Sequence, residues 1–151
     1  MRMPRDASPA PTPAHAIHSA AIHLLRSLRR QDARQGVGPA GLSVLSVLVF
    51  GRGPRTMAQL ADIEQVKRPT MTRIVSTLEN CRLVERRRGG ADRRTIVVQP
   101  TSRGRTVMLR ARADRIAVLE QRMARLTEAE IATLVRAATL LERISKGEAF
   151  A

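Results

Sequence analysis

The chain has 151 residues, with 27 Lys and Arg against 13 Asp and Glu, and a formal net charge of +14. A charge that large implies a polyanionic partner, whether DNA, RNA or an acidic membrane surface. Two Phe, no Trp and no Tyr argue against a membrane-surface helix and against single-strand readers, both of which lean on aromatic side chains, and so favour double-stranded nucleic acid.

Met1 to Pro11 is proline-rich and without periodicity and is expected to be a disordered arm. Thr12-Pro13 starts a helix, with Thr as cap and Pro in the first position, expected to run to about Arg34 and to end at Gly36. Ile17, Ala21, Leu24, Leu25 and Leu28 form its apolar stripe; Arg26, Arg29, Arg30 and Arg34 lie mostly off it. Pro39 opens a second helix through about Phe50, closed by Gly51, in which Leu42, Leu45, Leu48, Val49 and Phe50 predict a largely buried element. Gly51 to Arg55 reads as a turn-rich link.

Thr56 with Gln59 three residues on is a capping-box pattern, so the third helix should begin there. Met57, Leu60, Ala61 and Ile63 are spaced for one buried face. After a short turn through Glu64 to Lys67, a fourth helix is expected from Arg68 to Asn80, with Pro69 in its first turn. Met71, Ile74, Val75 and Leu78 follow the helical repeat and must face a core. Arg68, Thr70, Thr72, Arg73, Ser76 and Thr77 point elsewhere, with no acid until Glu79. Short hydroxyls for close approach and arginines for guanine edges and phosphates suit a helix lying in the DNA major groove. An ordinary solvated helix is the alternative for this element taken alone.

From Arg82 to Arg94 stand Arg82, Arg86, Arg87, Arg88, Arg93 and Arg94 against only Glu85 and Asp92. Leu83 and Val84 enter as a strand, Thr95 to Val98 leave as one, and Gly89 and Gly90 supply a reversing turn. The expected product is a β-hairpin with guanidinium groups at its tip, able to straddle phosphates and insert one arginine into the minor groove. Asp92 is placed to orient an arginine through a bidentate pair. A solvated charge run is the plainer alternative. Ser102 to about Arg125 then forms a long helix, basic in its first half, and Thr127 with Glu130 caps a last helix to about Lys146. The apolar stripes of the terminal helices exceed what one small winged domain can cover, which predicts a two-fold dimer with recognition helices roughly 34 Å apart. A monomer with a looser helical tail is the other possibility.

The runs VKRPTMTRIVSTLEN, LVERR and ADRRTIVVQPTSRG resemble the winged helix-turn-helix of the MarR family of bacterial transcription regulators, and the likeness extends from about Thr12 to Lys146. Its most specific part is Asp92-Arg93-Arg94, followed by a β-run and the T-x-x-G of Thr101 to Gly104. The resemblance implies a mainly α fold with a small β-wing. A winged helix-turn-helix over 38–100 would lie between dimerisation helices at 12–35 and 102–147, after the arm at 1–11. It implies an obligate homodimer on a pseudo-palindromic double-stranded operator, usually as a repressor. The helix Arg68 to Asn80 would read the major groove, Arg73 matches a common DNA-contacting arginine, and Arg93 matches the one that enters the minor groove. The expected DNA-binding set is Lys67, Arg68, Thr70, Thr72, Arg73, Thr77, Arg86, Arg87, Arg88, Arg93 and Arg94, with Asp92 orienting the wing. Two positions depart from the family pattern: Lys67 replaces a small helix cap, and Arg82 replaces a glycine, where a left-handed backbone would cost about 1 kcal/mol.

In that family small effectors, often aromatic acids, bind between the dimer helices and the winged domain; His18, Leu25, Val44, Leu48 and Arg112 would line such a site here. His15 and His18 share a helical face but His23 lies off it, no cysteine is near, and only Asp6 or Asp32 could add a carboxylate, so no metal or other cofactor is expected. The single cysteine, Cys81, allows no intrachain disulfide and fits a reducing cytoplasm; a packed small residue is its plainer reading and redox sensing the sharper one. No segment approaches the roughly 20 apolar residues of a membrane span, and no apolar run precedes the signal-like Ala14-His15-Ala16, so the expected location is cytoplasmic with no membrane partner. No nucleophile elbow, P-loop or His-Glu-x-x-His is present, so catalysis is not expected. The rival to a sequence-specific regulator is a sequence-indifferent DNA- or RNA-coating protein, for which +14 and a basic wing would also suffice.

Overall fold

Several helices of this chain begin where side chains replace the missing backbone partners of their first turns. Thr56 Oγ1 accepts from the Gln59 N–H at 3.2 Å while Gln59 Oε1 accepts from the Thr56 N–H at 2.9 Å. The same reciprocal pair closes Thr127 and Glu130, at 3.3 and 2.8 Å. Prolines sit in the first turns at Pro39 and Pro69. The computed structural model describes residues 12–29, 36–51, 53–89 and 95–147. Its elements are α1 (Pro13–Arg29), α2 (Pro39–Phe50), β1 (Arg55–Thr56), α3 (Met57–Ile63), α4 (Arg68–Asn80), β2 (Val84–Arg88), β3 (Ile96–Pro100), α5 (Ser102–Met123) and α6 (Glu128–Ser145). The expected arm at 1–11 and the expected end of the first helix near Arg34 lie outside the described residues. The chain divides into two units, Met1–Arg112 and Ala113–Ala151; α5 starts in the first and ends in the second.

Helix ends are equally specific. At α4 the Arg82 N–H bonds the Glu79 carbonyl at 2.8 Å and the Leu83 N–H bonds the Leu78 carbonyl at 2.9 Å. This is a Schellman closure, which needs a left-handed residue at its turn. Arg82 takes that place with φ +59°. The α3 end repeats the pattern, with Gln65 at φ +52° and the Val66 N–H on the Ala61 carbonyl at 3.0 Å. At α6 the left-handed residue is Gly147, where no Cβ opposes it. What holds Arg82 in the costly conformation is Leu83, the next residue, which is buried against the same core as Leu78.

The core of the first unit is aliphatic: Leu42, Val44, Leu45 and Leu48 of α2, Leu60 and Ala61 of α3, Met71, Val75 and Leu78 of α4, Leu83 just before β2, Val84 and Val98 of the sheet, and Met108 and Ala111 of α5. The helical repeat therefore assigned the central buried positions of α4 correctly. Two residues expected to be buried are not. Ile63 is 51% exposed and Phe50 45% exposed, because each lies at the last residue of its helix, past the reach of the elements packed below. Phe50 instead carries the Arg112 guanidinium 5.0 Å above its ring centroid, a cation–π contact.

The sheet has three antiparallel strands in the order β1-β3-β2, one more than the hairpin expected. The extra strand is Arg55–Thr56, which pairs with Val98 and Val97; the link before α3 was expected to be only a turn. The hairpin itself differs too. Arg86, Arg87 and Arg88 lie within β2, opposite Val98, Val97 and Ile96, rather than at a turn. The entry to α5 is fixed by Thr101, whose Oγ1 donates to the Arg82 carbonyl at 2.8 Å and accepts from the Gly104 N–H at 3.0 Å. A Cβ on Gly104 would run into the Leu83 carbonyl oxygen, so the T-x-x-G spacing is a close backbone approach. α1 and α6 each have no buried residue, and Ile17, Leu24, Leu25, Leu134, Val135 and Ile144 are exposed on them.

Arg82→Gly should raise folding stability by about 0.5–1 kcal/mol, because it relieves a left-handed side chain. Gly104→Ala should lower it by about 2 kcal/mol or more, since the neighbour it meets is backbone. Urea denaturation followed by far-ultraviolet circular dichroism checks both, and the opposite sign at either site would contradict the joint described.

Candidate nucleic-acid interface

On α4, burial of Met71, Val75 and Leu78 turns Arg68, Thr70, Thr72, Arg73 and Thr77 outward, and all five are exposed. The hydroxyls are not equivalent. Thr72 Oγ1 donates to the Arg68 carbonyl and Thr77 Oγ1 to the Arg73 carbonyl, each at 3.0 Å, so their protons are spent on their own helix and their oxygens remain acceptors. The Thr70 hydroxyl has no such bond among the described residues, leaving its donor free. The side chains of Lys67, Arg68 and Arg73 likewise make no hydrogen bond or ion pair among the described residues. Lys67 is the helix cap, extended at φ −68° and ψ 147°, and offers no side-chain acceptor. With no acid in the first turn of α4, its backbone dipole and its cations both present positive charge at one end, an arrangement that favours an anion.

The β2 arginines divide by the two-residue alternation of a strand. Val84, Arg86 and Arg88 share the face that carries buried Val98; Glu85 and Arg87 share the other. Arg86 is engaged: its Nε lies 3.3 Å from Glu79 Oε2 and its terminal nitrogen donates to Ser76 Oγ at 3.2 Å. Arg87 pairs along its own strand with Glu85, at 2.9 Å. Arg88 has no partner among the described residues. Gln99, across the sheet, donates to Glu85 Oε1 at 2.7 Å. The Gln99 amide first, and the Arg87 guanidinium after it, hold the Glu85 carboxyl below the usual carboxylate range. Asp92, Arg93 and Arg94, the expected tip of the wing, lie outside the described residues.

The five residues expected to line an effector site fare unequally. Val44 and Leu48 are core residues with 0% and 2% of their surface exposed, so packing has claimed them. His18 and Leu25 are exposed on α1, and Arg112 sits over Phe50. Leu25 joins Ile22, Arg26 and Arg29 around a shallow groove of about 230 Å³ on α1. His15 bonds Thr12 at 3.1 Å, and among the described residues no group of three or more His, Cys, Asp or Glu could hold a metal ion. Cys81 is half-buried at the C-cap of α4 and packs against the core. Among the described residues no helix is long and apolar enough to cross a membrane. Sequence reasoning missed the Arg86–Glu79–Ser76 contact; its only trace was an acid in an otherwise acid-free helix.

The MarR family profile matches residues 35–95. An HTH-type transcriptional regulator of Mycobacterium tuberculosis is 32% identical over 122 residues, covering 81% of this chain and 85% of that protein. A Mycobacterium leprae relative, described as an uncharacterised HTH-type transcriptional regulator, is 30% identical over the same length. Among solved structures, apo MarR from Escherichia coli aligns with a TM-score of 0.72 at 23% identity, covering 88% of this chain and 96% of that one. A protein described as belonging to the MarR family, from Bacillus stearothermophilus, reaches 0.77 at 18% identity, covering 87% and 91%. At those identities the solved structures speak to the fold.

Because the Glu85 carboxyl is held low in the folded chain, its interactions contribute above the ordinary carboxylate pKa and are lost as pH falls through the lowered one. A carbon-detected NMR titration should find its midpoint below that of an unstructured peptide. Gln99→Ala should move the midpoint up further than Arg87→Ala does; the reverse order would mean the guanidinium is the main cause.

Proposed function

The chain belongs to the MarR family of DNA-binding transcriptional regulators, a family of regulators rather than enzymes, and on that premise we propose that it is a homodimeric, sequence-specific repressor released from its operator by a small ligand. The observation that carries the proposal is the exposed surface of α4, where the side chains of Arg68, Thr70 and Arg73 make no hydrogen bond or ion pair among the described residues. Exposed guanidinium and hydroxyl groups left without a partner among the described residues can take base edges and phosphates without first breaking a protein contact. Thr72 and Thr77 offer oxygens, and Lys67 offers charge beside the helix start. In this reading α4 lies in the major groove. The wing follows the backbone through Arg88, Arg87 and, beyond the described residues, Arg93 and Arg94, with Arg93 in the minor groove and Asp92 orienting it.

The dimer is supported by the exposed apolar residues of α1 and of α6, each a helix with no buried residue. A second copy that covers both stripes would place two α4 helices about 34 Å apart and roughly double the phosphate contacts. For the effector, what remains of the expected lining is His18, Leu25 and Arg112, since Val44 and Leu48 serve the core. The rival reading, a sequence-indifferent coat on nucleic acid, is favoured only by the net charge of +14, which does not distinguish one duplex from another.

Selection from a random duplex library at about 150 mM salt should enrich a pseudo-palindrome bound at least ~10³-fold more tightly than bulk DNA; a ratio near one would favour the coat. On the enriched site, Arg73→Ala and Arg93→Ala should each cost about 1–3 kcal/mol. Arg88→Ala should instead lower the slope of log K against log salt by about one. Sedimentation of the bound protein should show two copies per site, and a single bound subunit would overturn the dimer.

A further inference from the structure

Glu79 stands in the last turn of α4, a helix whose final turn carries no basic residue. A carboxylate there is disfavoured twice: the helix dipole presents its negative end, and the same helix is the one offered to a polyanion. Its charge is met from the wing. Arg86 of β2 reaches Glu79 Oε2 at 3.3 Å and donates to Ser76 Oγ at 3.2 Å. Ser76 and Glu79 are three residues apart, one turn of the helix, so the guanidinium spans two successive positions on one side of α4. Two contacts from a planar group fix an angle where one would fix only a distance. Both charged side chains keep about a third of their surface, 35% and 31%, so the pair is partly shielded and partly within reach of solvent.

We propose that Arg86 is a positioning residue: it clamps the wing strand to the recognition helix through Glu79 and Ser76, and does not itself serve as a phosphate contact. The proposal rests on α4 and the wing meeting DNA together. Arg88, two residues on and on the same strand face, has no partner among the described residues, so neighbouring guanidiniums on one face divide into a brace and a free cation. The clamp sets the inclination of β2 against α4 before DNA arrives. Without it the two elements must find their common angle during binding, and the affinity falls even though no contact to DNA is removed. Glu79, an acid on a DNA-reading helix, is then kept because it anchors the wing.

The sign of one substitution separates this from a phosphate-contacting Arg86. Glu79→Ala removes a negative charge from the face of a DNA-binding helix. If Arg86 is a brace, Glu79→Ala weakens duplex binding about tenfold; if Arg86 is a phosphate contact held back by Glu79, the same change tightens it. Arg86→Ala should weaken binding to a similar degree with the salt slope unchanged, whereas Arg88→Ala flattens the slope by about one. The double variant Glu79→Ala/Arg86→Ala should bind no worse than the weaker single one, the non-additivity of a shared contact. Thermal unfolding confirms that each variant is folded, as expected for a pair about a third exposed. Tighter binding by Glu79→Ala, or additive losses with a flattened slope for Arg86→Ala, overturns the clamp. The assay uses the enriched operator, or a random duplex of equal length if none enriches; lack of enrichment counts against the repressor reading alone, because the slopes are still measured.

Discussion

The joint between Arg82, Leu83, Thr101 and Gly104 sets the geometry on which the rest of the first unit depends. A left-handed turn at Arg82 sends Leu83 down into the aliphatic core. The two carbonyls at that turn then become the seat of α5: Arg82 accepts from Thr101 Oγ1 at 2.8 Å and Leu83 from the Thr101 N–H at 3.0 Å. Gly104 lets the α5 backbone close over the Leu83 carbonyl. In consequence the end of α4, the start of the wing and the start of α5 are tied within a few residues. Burial of Leu83 offsets the backbone cost at Arg82, which is why an arginine can stand where glycine would be less strained.

Charge is distributed by a second rule. Cations on α4 are free among the described residues, while two on β2 are paired: Arg86 with Glu79, and Arg87 with Glu85. The free ones carry a cost, because Lys67 and Arg68 stand at the positive end of the helix dipole with no acid beside them. A folded chain gains nothing from that placement on its own, and an approaching phosphate removes the penalty. Arg86 does the opposite task and joins wing to helix, while Arg87 is tied along its own strand to Glu85. The described cations of α4 and β2 thus divide into groups without a partner among the described residues and groups held by an acid.

The apolar accounts of the helices point outward in the same way. α2, α3 and α4 spend their Leu, Val and Met residues on a shared core, whereas α1 and α6 leave Ile and Leu side chains exposed along their length. Those stripes are what the second copy of the proposed dimer would cover. The winged unit has its core without them.

Local chemistry was legible in the sequence wherever one residue and its near neighbours decide the outcome. The capping boxes at Thr56 and Thr127, Pro69 in a first turn, the buried repeat of α4 and the T-x-x-G start of α5 are short-range geometries that any chain with those residues would favour. The glycine-to-arginine departure at Arg82 marked the left-handed turn found there. What local pattern could not supply was decided by neighbours distant in the chain. β1 is two residues long and exists because Val97 and Val98 of β3 pair with it. Ile63 and Phe50 obey the helical repeat yet lie beyond the elements that would cover them. Arg86 reads in the sequence as one more arginine in a basic run. Only the packing of β2 against α4 puts Glu79 and Ser76 in front of it. Periodicity assigns a side chain to a face; what that face meets is settled by the tertiary fold.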